Sequence, residues 1–289
     1  MQWVYLAVIV VPLIVAMVIS FNNPKRKSTK VASVVYLTLI FIFTYLPIVV
    51  LIVFSFNSSR STGVWEGFSL KWYKALLEDE RILSALYNTL FIAFSSAIIS
   101  TVIGTFAAVG IFYMKKVPKS IIMNITYLPV LNADIITGVA LLLLYNILSI
   151  PLGYASLLLA HISFDIPYVI LSVMPKLKQM DNNLYEAALD LGASPMQALG
   201  KVIIPEIMPG IMSGFLLALT MSMDDFVISL FTSGSVVSTL SIEVYSMTKR
   251  GITPEINALS TIIFVIVLVI LLIANFRKPS SSKKQKETA

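Results

Sequence analysis

The chain has 289 residues, of which 57% are hydrophobic and only 12% charged, and its mean hydropathy of +0.89 leaves no soluble domain of useful size, so it is an integral membrane protein. A net charge of +6 invites a nucleic-acid partner, but the basic residues sit beside apolar runs, as they do in cytoplasmic loops, and none is expected. With no cysteine and a single histidine, disulfides and thiolate metal sites are excluded and a protein-built zinc site is not expected.

The first apolar run, residues 3–21, has the length of a span, lacks a basic leading region and ends in Asn22, Asn23 and Pro24 rather than a small-residue cleavage signal, so it reads as a retained helix. Residues 1–30 are then an extra N-terminal transmembrane helix with a basic linker, and 31–276 the main transmembrane domain. The second run, 31–56, leads into a mixed-charge segment carrying Trp65, Phe68, Trp72 and Tyr73, aromatics suited to an amphipathic element at the outer interface. The third run covers 85–114. The fourth, 120–148, contains Pro129, Asn132 and Asp134; the fifth, 152–175, contains His161, Asp165 and Pro167. The sixth, 210–230, reaches Asp224 and Asp225, and a polar outer stretch up to Glu255 precedes the seventh, 256–276. The tail, 277–289, is basic and low in complexity, and is expected to be disordered. Alternating sides along this order places 15 of the 21 Lys and Arg on one face of the membrane and 6 on the other, which predicts a cytoplasmic tail and a cytoplasmic segment 181–209.

That segment, DNNLYEAALDLGASPMQALGKVIIPEIMP, is the polar exception in an apolar chain. Asn183 stands three residues before Glu186, the spacing of a capping box, and predicts a helix start. Leu184, Ala187, Ala188 and Leu191 then share a face of mostly small side chains, with Glu186 and Asp190 on another. Gly192 suits the left-handed residue that ends a helix. Ser194, Pro195 and Gln197 form a second capping box with proline at the first helical position, and Pro205 and Pro209 are expected to separate this hairpin from the next span.

The run EAALDLGASPMQALGKVIIPE resembles the EAA signature of ABC-importer permease subunits: Glu-Ala-Ala, three residues, Gly, nine residues, then Ile-x-Leu-Pro. Glu186, Ala187, Ala188, Gly192 and Pro205 match in type and spacing, with Val202 and Ile204 as conservative departures. The resemblance implies a coupling helix seated in a groove of a separate ATP-binding subunit, Glu186 contacting that subunit and Gly192 allowing the turn. It also implies the fold, an all-α type I ABC-importer transmembrane domain of six core helices, to which residues 3–21 look like an addition. The chain has no G-x-x-x-x-G-K-[ST] phosphate loop, so it is not expected to be an enzyme or to bind a cofactor itself; ATP and Mg are expected at a partner ATPase dimer. A second homologous permease subunit and an external binding protein are the other implied partners.

From about residue 45 to 264 the chain further resembles the PotC-type permeases of spermidine/putrescine importers, through SFNSSR (55–60), SLLLAHISFDIP (156–167), SMDDFVIS (222–229) and YSMTKRGITPEINAL (245–259). A polyamine is a flexible polycation, whose path should offer carboxylates and aromatic faces in place of water. Asp224 and Asp225 lie past mid-membrane, and since helix neighbours point about 100° apart, one of them is expected to face the path; the alternative is that they cap the helix end. Asp134 follows a break that would line a cavity. Glu243 and Tyr245, in the outer loop, are candidates to meet cargo or the delivering protein, or ordinary solvated residues. His161 and Asp165, one turn apart, are expected to pair structurally. Two alternatives remain: an ABC permease for another small solute, and a secondary transporter of organic cations, which leaves the hairpin unexplained.

Overall fold

The computed structural model describes residues 27–59, 64–181, 183–250 and 254–276; the predicted helix 3–21 and the tail 277–289 lie outside the described residues. Those residues are helical apart from turns and one isolated bridge between Asn57 and Phe68. They form two compact units, one ending at Glu78 and resuming at Gly251, the other running Asp79–Arg250.

In the first unit, α1 (Lys27–Ser55), which carries the span Tyr36–Ser55, packs against α12 (Pro254–Phe276). The segment between α1 and α2 (Lys71–Glu78) is organised by Asn57, whose side chain is fully buried. Its Oδ1 accepts the Glu66 N–H at 2.9 Å, its Nδ2 donates to the Val64 carbonyl at 2.6 Å, and its own carbonyl accepts the Trp72 indole N–H at 2.7 Å. A buried amide with its groups satisfied fixes a loop that composition alone would leave open. Phe56 packs on Phe68 and Tyr73; Trp65 and Phe68 stay exposed, whereas Trp72, expected with them at an outer interface, is only 2% exposed because its ring fills the core of this loop and its N–H is taken by Asn57.

The second unit is built on α3 (Glu80–Phe112), α6 (Tyr154–Gln179) and α9 (Ile204–Asp224). Asp79 caps α3 by accepting the Arg81 N–H at 2.9 Å. Slight burial pushes the Asp79 carboxyl up, but the Arg81 hydrogen bonds and charge outweigh that and hold it below its ordinary value. Within its membrane window α6 is 56% buried, against 39% for α3 and 28% for Pro195–Asp224, so α6 is the axial helix. Small residues let its neighbours close on it, since lipid supplies no hydrophobic drive between helices and packing must. A Cβ on Gly104 of α3 would stand 2.8 Å from the Val169 side chain, and one on Gly210 of α9 2.8 Å from Lys176 Cγ.

Two predicted spans are revised. The fourth is α4 (Lys116–Leu131) followed by α5 (Asp134–Ile147), bent by 105° at Asn132 and Ala133; Asn132 and Ala133 are extended, so the helix stops there rather than crossing straight. The sixth begins far earlier than residue 210. Helical backbone is continuous from α8 (Pro195–Ala198) through a π turn (Leu199–Ile203) into α9, and it ends at Asp224, after which α10 (Val227–Thr232) starts. Pro205 and Pro209 therefore do not separate hairpin from span. A proline crowds the carbonyl four residues back and cannot donate to it; here the Ile204 N–H reaches back to Leu199, and the widened turn absorbs the crowding that would otherwise break the helix at Pro205. Among the described residues four helices are long and apolar enough to cross a bilayer, or five with α4–α5 as one broken span.

Candidate coupling hairpin and acidic pocket

The hairpin consists of α7 (Asn183–Asp190) and α8. Asn183 is the first helical residue rather than the cap, and its N–H is met by Asp181 Oδ1 at 3.0 Å. Gly192 ends α7 at φ +84, with the Ala193 N–H donating to the Ala188 carbonyl at 3.0 Å and the Gly192 N–H to Leu189 at 2.9 Å. That pair of bonds is the Schellman closure, which only a left-handed residue permits. The second capping box forms as expected: Gln197 N–H donates to Ser194 Oγ at 3.3 Å and Ser194 N–H to Gln197 Oε1 at 3.0 Å.

The face predicted to be common to Leu184, Ala187, Ala188 and Leu191 is divided. Ala188 is buried and the neighbouring Tyr185 leans on Tyr113, ring centroids 5.5 Å apart. Glu186, Ala187 and Pro205 are exposed, and Leu191 and Met196 stand out at 89% and 75% exposure. The helix ends at Gly192, so Leu191 has no further turn to shelter it. The result is an apolar tip on a polar hairpin, a shape that asks for a partner.

At the far end of α9 lies a cavity of about 220 Å³ lined by Asp134, Asp224 and Asp225 together with Phe164, Met221 and Phe226. Both breaks serve it: Asp134 is the first residue of α5, Asp224 the last of α9, and Asp225 extended backbone at φ −66, ψ 126. The short helices beyond the breaks pack together, Gly138 of α5 lying so close to α10 that a Cβ would meet the Phe231 ring at 2.9 Å. Asp224 is exposed to the cavity. Asp225 is anchored, with Oδ1 accepting the Ile228 N–H at 3.2 Å and Oδ2 the Ser229 N–H at 2.7 Å, so it caps α10 while lining the pocket.

Glu243 and Tyr245, expected in an outer loop, belong to a helix, α11 (Leu240–Arg250). Neither lines the cavity, but Tyr245 packs on Phe226 at 4.5 Å between ring centroids, and Lys249 Nζ stands over the Tyr245 ring, 4.9 Å from its centroid. The expected pairing of His161 with Asp165 is not formed. His161 Nδ1 shares a 2.6 Å hydrogen bond with Ser222 Oγ, and Nε2 lies 3.0 Å from Ser229 Oγ and 3.6 Å from Asp225 Oδ2. Hydroxyls from α9 and α10 reach the ring nitrogens and leave nothing for a partner on the same helix. Asp165 is fully buried, and neither of its oxygens meets hydrogen-bond geometry among the described residues; the neighbouring Ser96 hydroxyl bonds Ala93 and Ser222 instead. No three His, Cys, Asp or Glu side chains among the described residues converge to hold a metal ion. Phe164 and Phe226 were not anticipated. Phe226 directly follows the aspartate pair and was open to inference, whereas Phe164 is hidden in an apolar run.

The profile of a family described as the binding-protein-dependent transport system inner membrane component matches residues 100–278. The chain is 40% identical over 237 residues to the spermidine/putrescine transport system permease protein PotC of Escherichia coli (strain K12), covering 82% of this chain and 90% of that protein. It is 38% identical over 260 residues to the putrescine transport system permease protein PotI of the same strain, covering 87% and 92%. Among solved structures, a chain of a bacterial ABC transporter involved in the import of the acidic polysaccharide alginate matches with a TM-score of 0.69 over 88% of this chain and 99% of that one, at 14% identity. A chain of the MetNI methionine ABC transporter in an inward-facing conformation matches with a TM-score of 0.54 over 67% and 92%, at 20% identity. At such identities the structural likeness establishes the fold alone: the all-α transmembrane domain of an ABC importer.

Proposed function

The chain belongs to the binding-protein-dependent transport system inner membrane component family, and from that membership we propose that it is the permease subunit of an ATP-driven polyamine importer, carrying spermidine or putrescine by alternating access. It is a transport subunit and not an enzyme. The observation that carries the cargo reading is the pocket, which gathers three carboxylates and two phenyl rings at the end of the apolar helix Pro195–Asp224. Such acids are costly in a span and are kept where they meet a cation. Aromatic faces attract ammonium groups and take the methylene stems between them. At 220 Å³ the cavity is smaller than the roughly 300–1,000 Å³ of sites for drug-sized ligands, which suits a thin linear chain better than a sugar or a chelate.

Coupling follows from the continuity of the helical rod. Pro195–Asp224 is 30 residues, about 45 Å at ~1.5 Å per residue, with the hairpin at one end and the acids at the other. A partner ATPase dimer that binds ATP and Mg, gripping the hairpin through Glu186, Ala187, Gly192 and the Leu191 tip, with the buried Ala188 holding α7 to the bundle beneath them, would tilt this rod. The tilt carries Asp224, the last residue of α9, relative to Asp225, which caps α10, and Asp134, which begins α5, and so alternately assembles and disperses the carboxylate cluster. Pro205, at the π turn, marks where the rod can flex without losing its backbone hydrogen bonds.

In this reading the protein is a multi-pass component of the cell membrane, with the hairpin and C-terminal tail in the cytoplasm, the acidic pocket toward the outer side, a second homologous permease completing the path, and an external polyamine-binding protein delivering cargo. The test is to purify the complex and measure ATP hydrolysis against a panel of spermidine, putrescine, sulfate, iron chelates and amino acids, each with its delivering protein. Stimulation by polyamines alone is expected; stimulation by another member of the panel overturns the cargo, and polyamine transport by this chain alone on an ion gradient overturns the coupling.

A further inference from the structure

Resting on the polyamine reading, we propose that His161 is a positioning residue for cargo binding: its imidazole ties together the two sides of the α9–α10 break and thereby fixes where the Asp225 carboxylate stands in the pocket. His161 is the single histidine of the chain, it is 2% exposed, and it does not line the cavity. Its ring nitrogens reach one residue on each side of the break, Ser222 in the last turn of α9 at 2.6 Å and Ser229 in α10 at 3.0 Å.

The break needs such a tether. Between those serines the backbone leaves the helix at Asp225, so the six-residue α10 is joined to the rod by extended chain. Asp225 moves with α10, because both of its oxygens accept N–H groups from the first turn of that helix. Whatever holds α10 against α6 therefore holds the carboxylate. His161 does this from α6, and the Ser96 hydroxyl of α3 reinforces it by donating to Ser222 at 3.0 Å, so four helices meet around one ring.

Proton placement on the ring follows from the carboxylate beside it. The Asp225 carboxylate, 3.6 Å from Nε2, favours the tautomer with hydrogen on that nitrogen, which then donates to Ser229 Oγ. Nδ1 is left as an acceptor for the Ser222 hydroxyl, whose oxygen in turn accepts from Ser96. A histidine buried only to fill space would have no cause to meet hydroxyls on both sides of a helix break next to a substrate acid.

The two ring nitrogens can be replaced separately. His161→Asn keeps a polar atom near Nδ1 and His161→Gln one near Nε2, while His161→Ala keeps neither. With the full complex, the spermidine concentration that half-saturates ATP hydrolysis is measured alongside the maximal rate and the thermal midpoint. Ala and Asn are expected to raise the half-saturating concentration about tenfold and Gln by less than about threefold, the scale of one lost buried hydrogen bond. Equal values for Asn and Gln, or a lowered thermal midpoint with the half-saturating concentration unmoved, would overturn the proposal and leave a packing role. Should the Ala variant fail to assemble, the near-isosteric Asn and Gln carry the comparison. Ser229→Ala, which removes the Nε2 partner from the other side, is expected to shift the same quantity in the same direction, and no shift counts against the proposal. A wild-type complex indifferent to both polyamines overturns the cargo reading and this inference with it; a responsive wild type whose half-saturating concentration is unchanged in the variants overturns the inference alone.

Discussion

Replacing Gly192 by alanine perturbs the hairpin through its backbone alone. A Cβ built on Gly192 finds open space, yet φ stands at +84, so the substitution adds strain without a clash. Holding a non-glycine residue in the left-handed region costs about 1–2 kcal/mol. That strain can be relieved locally, by opening the Ala193 to Ala188 and Gly192 to Leu189 bonds that end α7. The transmembrane bundle is then untouched and the cost appears when a partner demands the closed turn. At ~0.59 kcal/mol for RT, 1–2 kcal/mol corresponds to about 5- to 30-fold weaker binding of the ATPase subunit, measured by titrating purified ATPase onto the permease in detergent. Gly200→Ala is the control. It also has open space around a new Cβ but no positive φ, so its binding should stay within about twofold of wild type. Equal effects of the two substitutions, or wild-type binding by Gly192→Ala, would refute the reasoning.

The pocket acids should separate. Asp224→Asn removes an exposed carboxylate with no capping duty and is expected to raise the half-saturating spermidine concentration about tenfold with little change in the melting temperature, whereas Asp225→Asn also puts an amide donor where one of two oxygens accepts an N–H of α10 and should cost ~1 kcal/mol of stability in a thermal scan. Gly104→Ala forces a methyl group to 2.8 Å from Val169 and should destabilise the α3–α6 contact by about 1–3 kcal/mol, read as a lower melting temperature of the purified complex. Leu191→Ser, at a position 89% exposed, should leave that melting temperature unchanged while weakening ATPase binding about fivefold to tenfold, by loss of roughly 1–1.4 kcal/mol of apolar burial at the interface; unchanged binding would remove the tip from the docking surface.

What the sequence made legible follows local chemistry. Gly192 and the Ser194–Gln197 box are written in residues whose conformational preference is nearly unique, and both stand where spacing put them. The break before Asp134 was visible as a polar interruption near Pro129, although its 105° bend was not, because the angle depends on which helices receive the two halves. The continuity of the rod through Pro205 was hidden, since proline argues for a stop and the π turn that accommodates it has no sequence signature of its own. The pairing of His161 with Asp165 that spacing suggests fails for a related reason: spacing along one helix shows which residues share a face, but not that Ser222 and Ser229 arrive from 61 and 68 residues away. Ala188 and Leu191 share a periodic face, yet the bundle covers only the former, because burial ends where the helix runs past its support.

The central claim is that force applied at the hairpin is delivered to an acidic pocket that carries polyamines. Its most direct test is the amount of labelled spermidine taken up per ATP hydrolysed in proteoliposomes holding the whole complex, wild type against Glu186→Gln. The account predicts ATP-dependent uptake in the wild type and a sharply lower yield of spermidine per ATP in the variant, with hydrolysis persisting. An unchanged yield, or spermidine uptake that proceeds without ATP, would contradict it.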